Sequence, residues 1–144
     1  MAMPAYRYVP GLQPHPFRTP GGHSYTDGSP PSPEGADFLH ACDLFDQRYW
    51  WESHEVWEAI WHTLPKADPA RDLVQSLIQV AASLLKRHMG SDGAADRLMA
   101  RARARLSTVR DAAGDTLLGI DLAAWDAALD GHRTDDSWPV LPMA

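Results

Sequence analysis

The stretch "DPARDLVQSLIQVAASLLKRHMG", Asp68 to Gly90, does most to narrow what this chain can fold into. Asp68 offers a side-chain cap and Pro69 suits the first helical position, where its missing N–H costs nothing. Leu73, Val74, Leu77, Ile78, Val80, Ala81, Leu84 and Leu85 then recur at helical spacing until Gly90 supplies a left-handed stop. An apolar arc this broad needs partners on more than one side, so the segment predicts the central helix of a bundle.

The flanking segments agree. Phe38, Cys42, Phe45 and Tyr49 share a helical stripe, with Leu39, Ala41 and Leu44 beside them. A fourth helix is predicted from about Ser91 to Arg110, burying Leu98, Ala102, Leu106 and Val109. A short fifth is predicted from Asp121 to Asp130, capped by Asp121, stopped by Gly131 and facing inward through Leu122, Trp125 and Leu129. No alternating strand pattern of useful length occurs. The expectation is an all-α, single-domain bundle or array of about five helices over 34–131. A Pro/Gly-rich extended arm precedes it over 1–33, and a tail over 132–144 follows, in which Trp138 packs on the domain. Tyr6, Tyr8, Leu12, Phe17 and Tyr25 are spaced to dock the arm; a free tail is the other reading.

Composition removes several functional classes. The chain has 144 residues and a net charge of −6, a poor balance for a general binder of nucleic acid or anionic membrane. Arg97, Arg101 and Arg105 do form one helical stripe, with Arg103 and Arg110 nearby, but no interleaved aromatics accompany them for base stacking. They read as a solvated or ion-paired face. Cys42 is the single cysteine, which excludes an internal disulfide and a cysteine-based zinc finger. It falls on an apolar stripe and reads as core, not nucleophile. The first residues lack the order of a secretion signal, and no apolar run is long enough to span a bilayer. The expectation is a soluble cytoplasmic protein with no nucleic-acid or membrane partner.

The chemistry concentrates in "YWWESHEVWEAIWH", Tyr49 to His62, which holds four of the six tryptophans and three of the four glutamates. Wound at about 3.6 residues per turn, Trp50, Trp57 and Trp61 form one stripe, widened by Ser53, Val56 and Ile60. Glu52 and Glu55 fall on the far side, toward water. His54, Glu58 and His62 stand at i, i+4 and i+8 along the stripe's edge. A pair at i and i+4 can chelate one ion, and a His–carboxylate pair suits zinc or another divalent first-row metal. The metalloprotease pattern is absent, because "HEVWE" carries Glu58 where that pattern needs a second histidine. The alternative is a hydrogen-bonded pair at the rim of a core.

"FDQRYWWESHEVWEAIWH" followed by "DLVQSLIQVAASLLKRHMG" resembles the domain-of-unknown-function family numbered 309, over about Phe38 to Arg105. That family is marked by His, three residues, Glu, two residues, then Trp or Tyr, which falls here on His54, Glu58 and Trp61. Phe45, Trp50, Trp51 and Glu52 are similar to its preceding aromatic and acidic positions, and Gln75 to Gln79 to its Gln-Gly-Leu-Ile-Gln segment. Two departures stand out: Arg48 occupies the place of a helix-ending glycine, and Ser76 that of the glycine in the third helix. The resemblance implies a small helical protein whose His54/Glu58 motif is a candidate metal site, and it names no reaction.

Two functions follow as expectations. In the first, His54 and Glu58 bind a divalent metal such as zinc, or a small ligand, with Trp51, Trp57, Trp61, His62, Gln75 and Gln79 around them. A further ligand would then come from another helix or from His15 or His23 of the arm, and Glu52 or Glu55 is a remote candidate base. In the second, the pair is structural and the chain is a non-catalytic interaction module. The surplus tryptophans, Trp51 above all, would then serve a homo-oligomer interface.

Overall fold

The computed structural model describes residues 36–135 and 138–143, so the expected N-terminal arm, with His15 and His23, lies outside the described residues. Five helices follow in order: α1 (Ala36–Asp46), α2 (Trp50–Trp61), α3 (Pro69–His88), α4 (Asp92–Ala113) and α5 (Leu122–Asp135). The described residues are all-α apart from a small hairpin, β1 (Thr116–Leu117) with β2 (Ile120–Asp121).

α3 packs between α2 and α4. Asp68 caps it by accepting a hydrogen bond from the Ala70 N–H at 2.9 Å, with Pro69 in the first turn. Gly90, at φ +83, closes its far end while the Ser91 N–H donates to the Lys86 carbonyl. Leu73, Val74, Leu77, Val80, Ala81 and Leu84 are fully enclosed. Against α4 the contact is made by small residues. Ser76 Oγ donates to the Ala102 carbonyl at 2.8 Å, and Ser83 Oγ donates to the Ala95 carbonyl at 2.6 Å. As the partner's number falls when the serine's rises, the two helices run antiparallel in one fixed register. Short side chains on both sides let the backbones approach closely, and each buried hydroxyl finds an acceptor. Ser76 is thereby tied to the neighbouring helix.

The corner between α1 and α2 turns at Arg48. Arg48 has φ +67, a left-handed conformation that a side chain makes costly by about 1–2 kcal/mol. The Arg48 N–H donates to the Phe45 carbonyl and the Tyr49 N–H to the Leu44 carbonyl, the paired bonds that close a helix end. The guanidinium lies 5.6 Å from the Trp138 ring, a cation–π contact that glycine could not make.

α5 is capped as expected, with Asp121 accepting from the Ala124 N–H at 3.0 Å. Gly131 does not stop it: the helix continues to Asp135. Gly131 lies inside the helix with open space around its Cα, so nothing there demands a turn. Its buried stripe, Leu122, Trp125 and Leu129, extends to His132, which stacks on Trp138 at 5.5 Å. His132 lies one residue past the expected stop. Before α5, Leu118 (φ 52) and Gly119 (φ 78) form the two-residue turn of the hairpin.

The tail packs on the domain. Trp138 meets Trp50 at 4.9 Å, the Asp121 N–H donates to the Pro142 carbonyl, and the Leu141 N–H donates to Asp46 Oδ1 at 2.9 Å. Burial pushes the Asp46 carboxyl above its ordinary range, while the Leu141 N–H pulls it back. An acid raised in the folded state favours folding while it is protonated. Stability is therefore lost as pH rises from the unfolded value through the raised one. Asp46→Asn keeps an acceptor without the charge, so its midpoint in urea should rise at neutral pH and match wild type below pH ~4. Asp46→Ala, which removes the acceptor, should cost about 1 kcal/mol at neutral pH. A second expectation concerns the serine contacts: Ser76→Leu should destabilise by about 1–3 kcal/mol through overpacking, and Ser76→Ala by less.

Candidate metal centre on the edge of α2

α2 shows two kinds of surface along its length. Its first turn is covered all round, with Trp50, Trp51, Glu52 and Ser53 buried. Later turns bury Trp57 and Ile60 and leave an edge half open. Phe45 joins the covered side to α5, lying 5.7 Å from Trp57 and meeting Trp125 edge-on at 5.6 Å.

On the open edge, His54 stands between two carboxylates. Its Nδ1 is 3.2 Å from Glu55 Oε1 and its Nε2 is 3.3 Å from Glu58 Oε2. His62 Nε2 is 4.0 Å from the other oxygen of Glu58. One nitrogen of His54 and one oxygen from each of Glu55 and Glu58 lie within 4.8 Å of one another. All three residues are half-buried, so the cluster is open to solvent but backed by protein. The Trp51 ring flanks His54 at 6.4 Å. At the end of the helix Trp61 is covered by the Arg71 guanidinium of α3 at 3.8 Å, and the His62 ring lies 5.0 Å from it.

The His54–Glu58 pairing is as the i, i+4 spacing predicts. Three other expectations for α2 are corrected. Glu55, expected to point away from His54, reaches its Nδ1: the one-residue step of about 100° is overcome because both side chains are long enough to turn back along the helix. Glu52, expected in water, is 1% exposed. Winding a helix alone cannot show that its first turn is enclosed on the far side as well. Trp51 is 7% exposed, so it belongs to the core of this chain and offers no surface to a second copy.

Of the two glutamines, Gln79 lines a groove of about 350 Å³ with Asp72, Arg101, Ala104, Arg105 and Thr108. Neither it nor the half-buried Gln75 hydrogen-bonds to His54 or Glu58 among the described residues. Of the α4 arginines, Arg105 of the stripe pairs with Asp72, and its neighbours Arg103 and Arg110 pair with Asp126 and Asp130 and with Asp115 and Asp126. Cys42 is buried in the core, and its thiol is pushed up to about 12 by burial and then by Asp46 and Asp43, which makes it a poor nucleophile.

Residues 38–98 match the family model described as a domain of unknown function, DUF309. The matched segment covers less than half of the chain. It opens on α1, takes in α2 and α3 whole and ends within α4, so the three acidic and imidazole groups on α2 all lie inside it. α5, the hairpin and the tail lie beyond it. No curated protein matches the chain. No helix of the described residues is long and apolar enough to cross a membrane.

Half-exposed ion pairs add little to stability, and that separates the two readings of the pair. Glu58→Ala should change the unfolding free energy by about 0.5 kcal/mol or less. Trp57→Ala, one residue away on the covered face, should cost about 3–5 kcal/mol. Equal large losses in a urea titration would make the pair a structural element.

Proposed function

We propose that the α2 edge binds a divalent first-row cation, zinc being the simplest candidate, through one nitrogen of His54 and one oxygen each of Glu55 and Glu58. The observation that carries this reading is the convergence of these three ligand atoms within 4.8 Å. The donor set fits the ion chemically. Two carboxylates balance a double positive charge, and a neutral imidazole is the commonest nitrogen ligand for such metals. Three protein ligands leave a position for water or a ligand, the pattern of reactive sites more than of closed structural ones. Bound there, the ion would supply Lewis-acid polarisation or activation of a water. The protein's part is to hold the donors together on a rigid helix, with the Trp51 ring fixed beside His54.

The test is titration of metal-free protein with Co²⁺, followed by absorbance, and competition by Zn²⁺. Saturation at one ion per chain is expected. His54→Ala and Glu58→Gln should each weaken binding by at least about tenfold, with helical content unchanged. Glu55→Gln should weaken it as well, and His62→Ala should leave it close to wild type. Unsaturable binding, or affinity indifferent to His54 and Glu58, would refute the reading.

A further inference from the structure

Arg71, in the first turn of α3, differs from the other half-buried arginines. Arg87, Arg103, Arg105 and Arg110 each pair with at least one carboxylate. Arg71 has none among the described residues, and its buried Nε lacks a hydrogen-bond partner there. The nearest acids in sequence are committed elsewhere: Asp72 is turned to Arg105 at 2.9 Å, and Asp68 caps α3 through the Ala70 N–H. A half-buried charge without a counter-charge is costly, so this position favours an incoming anion.

What holds Arg71 is the ring of Trp61. The guanidinium carbon lies 3.8 Å from the ring centroid, a stacking distance that fixes the guanidinium plane and leaves the Nη fork at its edge for an oxyanion. Trp61 follows Glu58 by three residues, about 4.5 Å along the helix axis. His62 links the two, with its Nε2 4.0 Å from Glu58 Oε1 and its ring 5.0 Å from that of Trp61. These contacts form one continuous row from His54 through Glu58 and His62 to Trp61 and Arg71.

We infer that the α2 edge takes an anionic ligand, a carboxylate or phosphate group with one oxygen on the cation and another on the Arg71 guanidinium. The inference rests on the cation reading given above. With the imidazoles uncharged and the ion in place, its double charge offsets Glu55 and Glu58, and Arg71 leaves the row one positive charge in excess. Without the ion the row is negative, so binding of the anion depends on the metal. Three protein donors leave the ion a position for one oxygen, and the planar fork of Arg71 suits a second oxygen of the same group.

The test is titration of the Co²⁺-loaded full chain with inorganic phosphate, and separately with acetate, followed by the visible absorbance of the cobalt. Equilibrium dialysis checks that the cobalt stays bound. A saturable change is expected with at least one of the two anions, and the tighter of them identifies the group. Arg71→Gln should weaken that binding by about tenfold and leave the affinity for Co²⁺ unchanged. Arg101→Gln, at an exposed arginine of α4, should alter neither, and circular dichroism confirms the fold of each variant. No response to either anion in the cobalt-loaded wild type, or equal affinity in Arg71→Gln, would overturn the inference and leave the cation reading standing. Failure of Co²⁺ to bind the wild type would overturn the cation reading, and this inference with it.

Discussion

The close antiparallel contact of α3 with α4 is the constraint on which the remaining packing rests. Ser76 and Ser83 present short side chains whose hydroxyls must find acceptors once buried, and the Ala102 and Ala95 carbonyls supply them. Two such bonds, seven residues apart on each helix, fix the register, and the Arg105–Asp72 ion pair follows the same register at one end. With that side of α3 committed to α4, its remaining apolar face is left for α2. α2 in turn seats Trp57 against Phe45 of α1, and Phe45 carries the packing on to Trp125 of α5. A slip of one residue between α3 and α4 would orphan both hydroxyls together, which makes the register specific as well as stable.

Periodicity made the helical architecture legible because each helix buries a stripe that repeats with the helical turn. Leu73, Leu77 and Leu84, or Leu122, Trp125 and Leu129, are inward by spacing alone and are inward in the fold. The hairpin was not legible: two residues per strand cannot show an alternating pattern, and only Gly119 within "LLGI" marked a turn. The length of α5 was misread because glycine stops a helix only where the surroundings ask for a left-handed residue. At Gly131 they do not. The candidate site was legible as far as His54 and Glu58, whose contact is set by the helix itself. Glu55 was missed because adjacent residues point in different directions at the Cβ and converge only through their outer torsions. The burial of Glu52 was missed because it depends on what surrounds the first turn of α2, which no helical wheel contains.

The electrostatics of the helices add an argument about what the α2 edge is for. α3 and α4 follow the helix dipole, with Asp72 and Asp92 in their first turns and Lys86, Arg87, His88 and Arg110 in their last. α1 and α2 have no basic residue in the last turn. α1 ends on Asp46, but that carboxylate accepts the Leu141 N–H and so secures the tail. In α2, Glu58 sits in the last turn against the dipole. It belongs to a helix with three glutamates and no lysine or arginine. Substituting lysine at the Glu58 position would favour the dipole but lose the i, i+4 contacts to His54 and His62. A divalent cation between His54, Glu55 and Glu58 would offset both the mutual repulsion of the acids and the unfavourable end charge. The mutual repulsion of these acids and the affinity for a cation would then have the same physical origin.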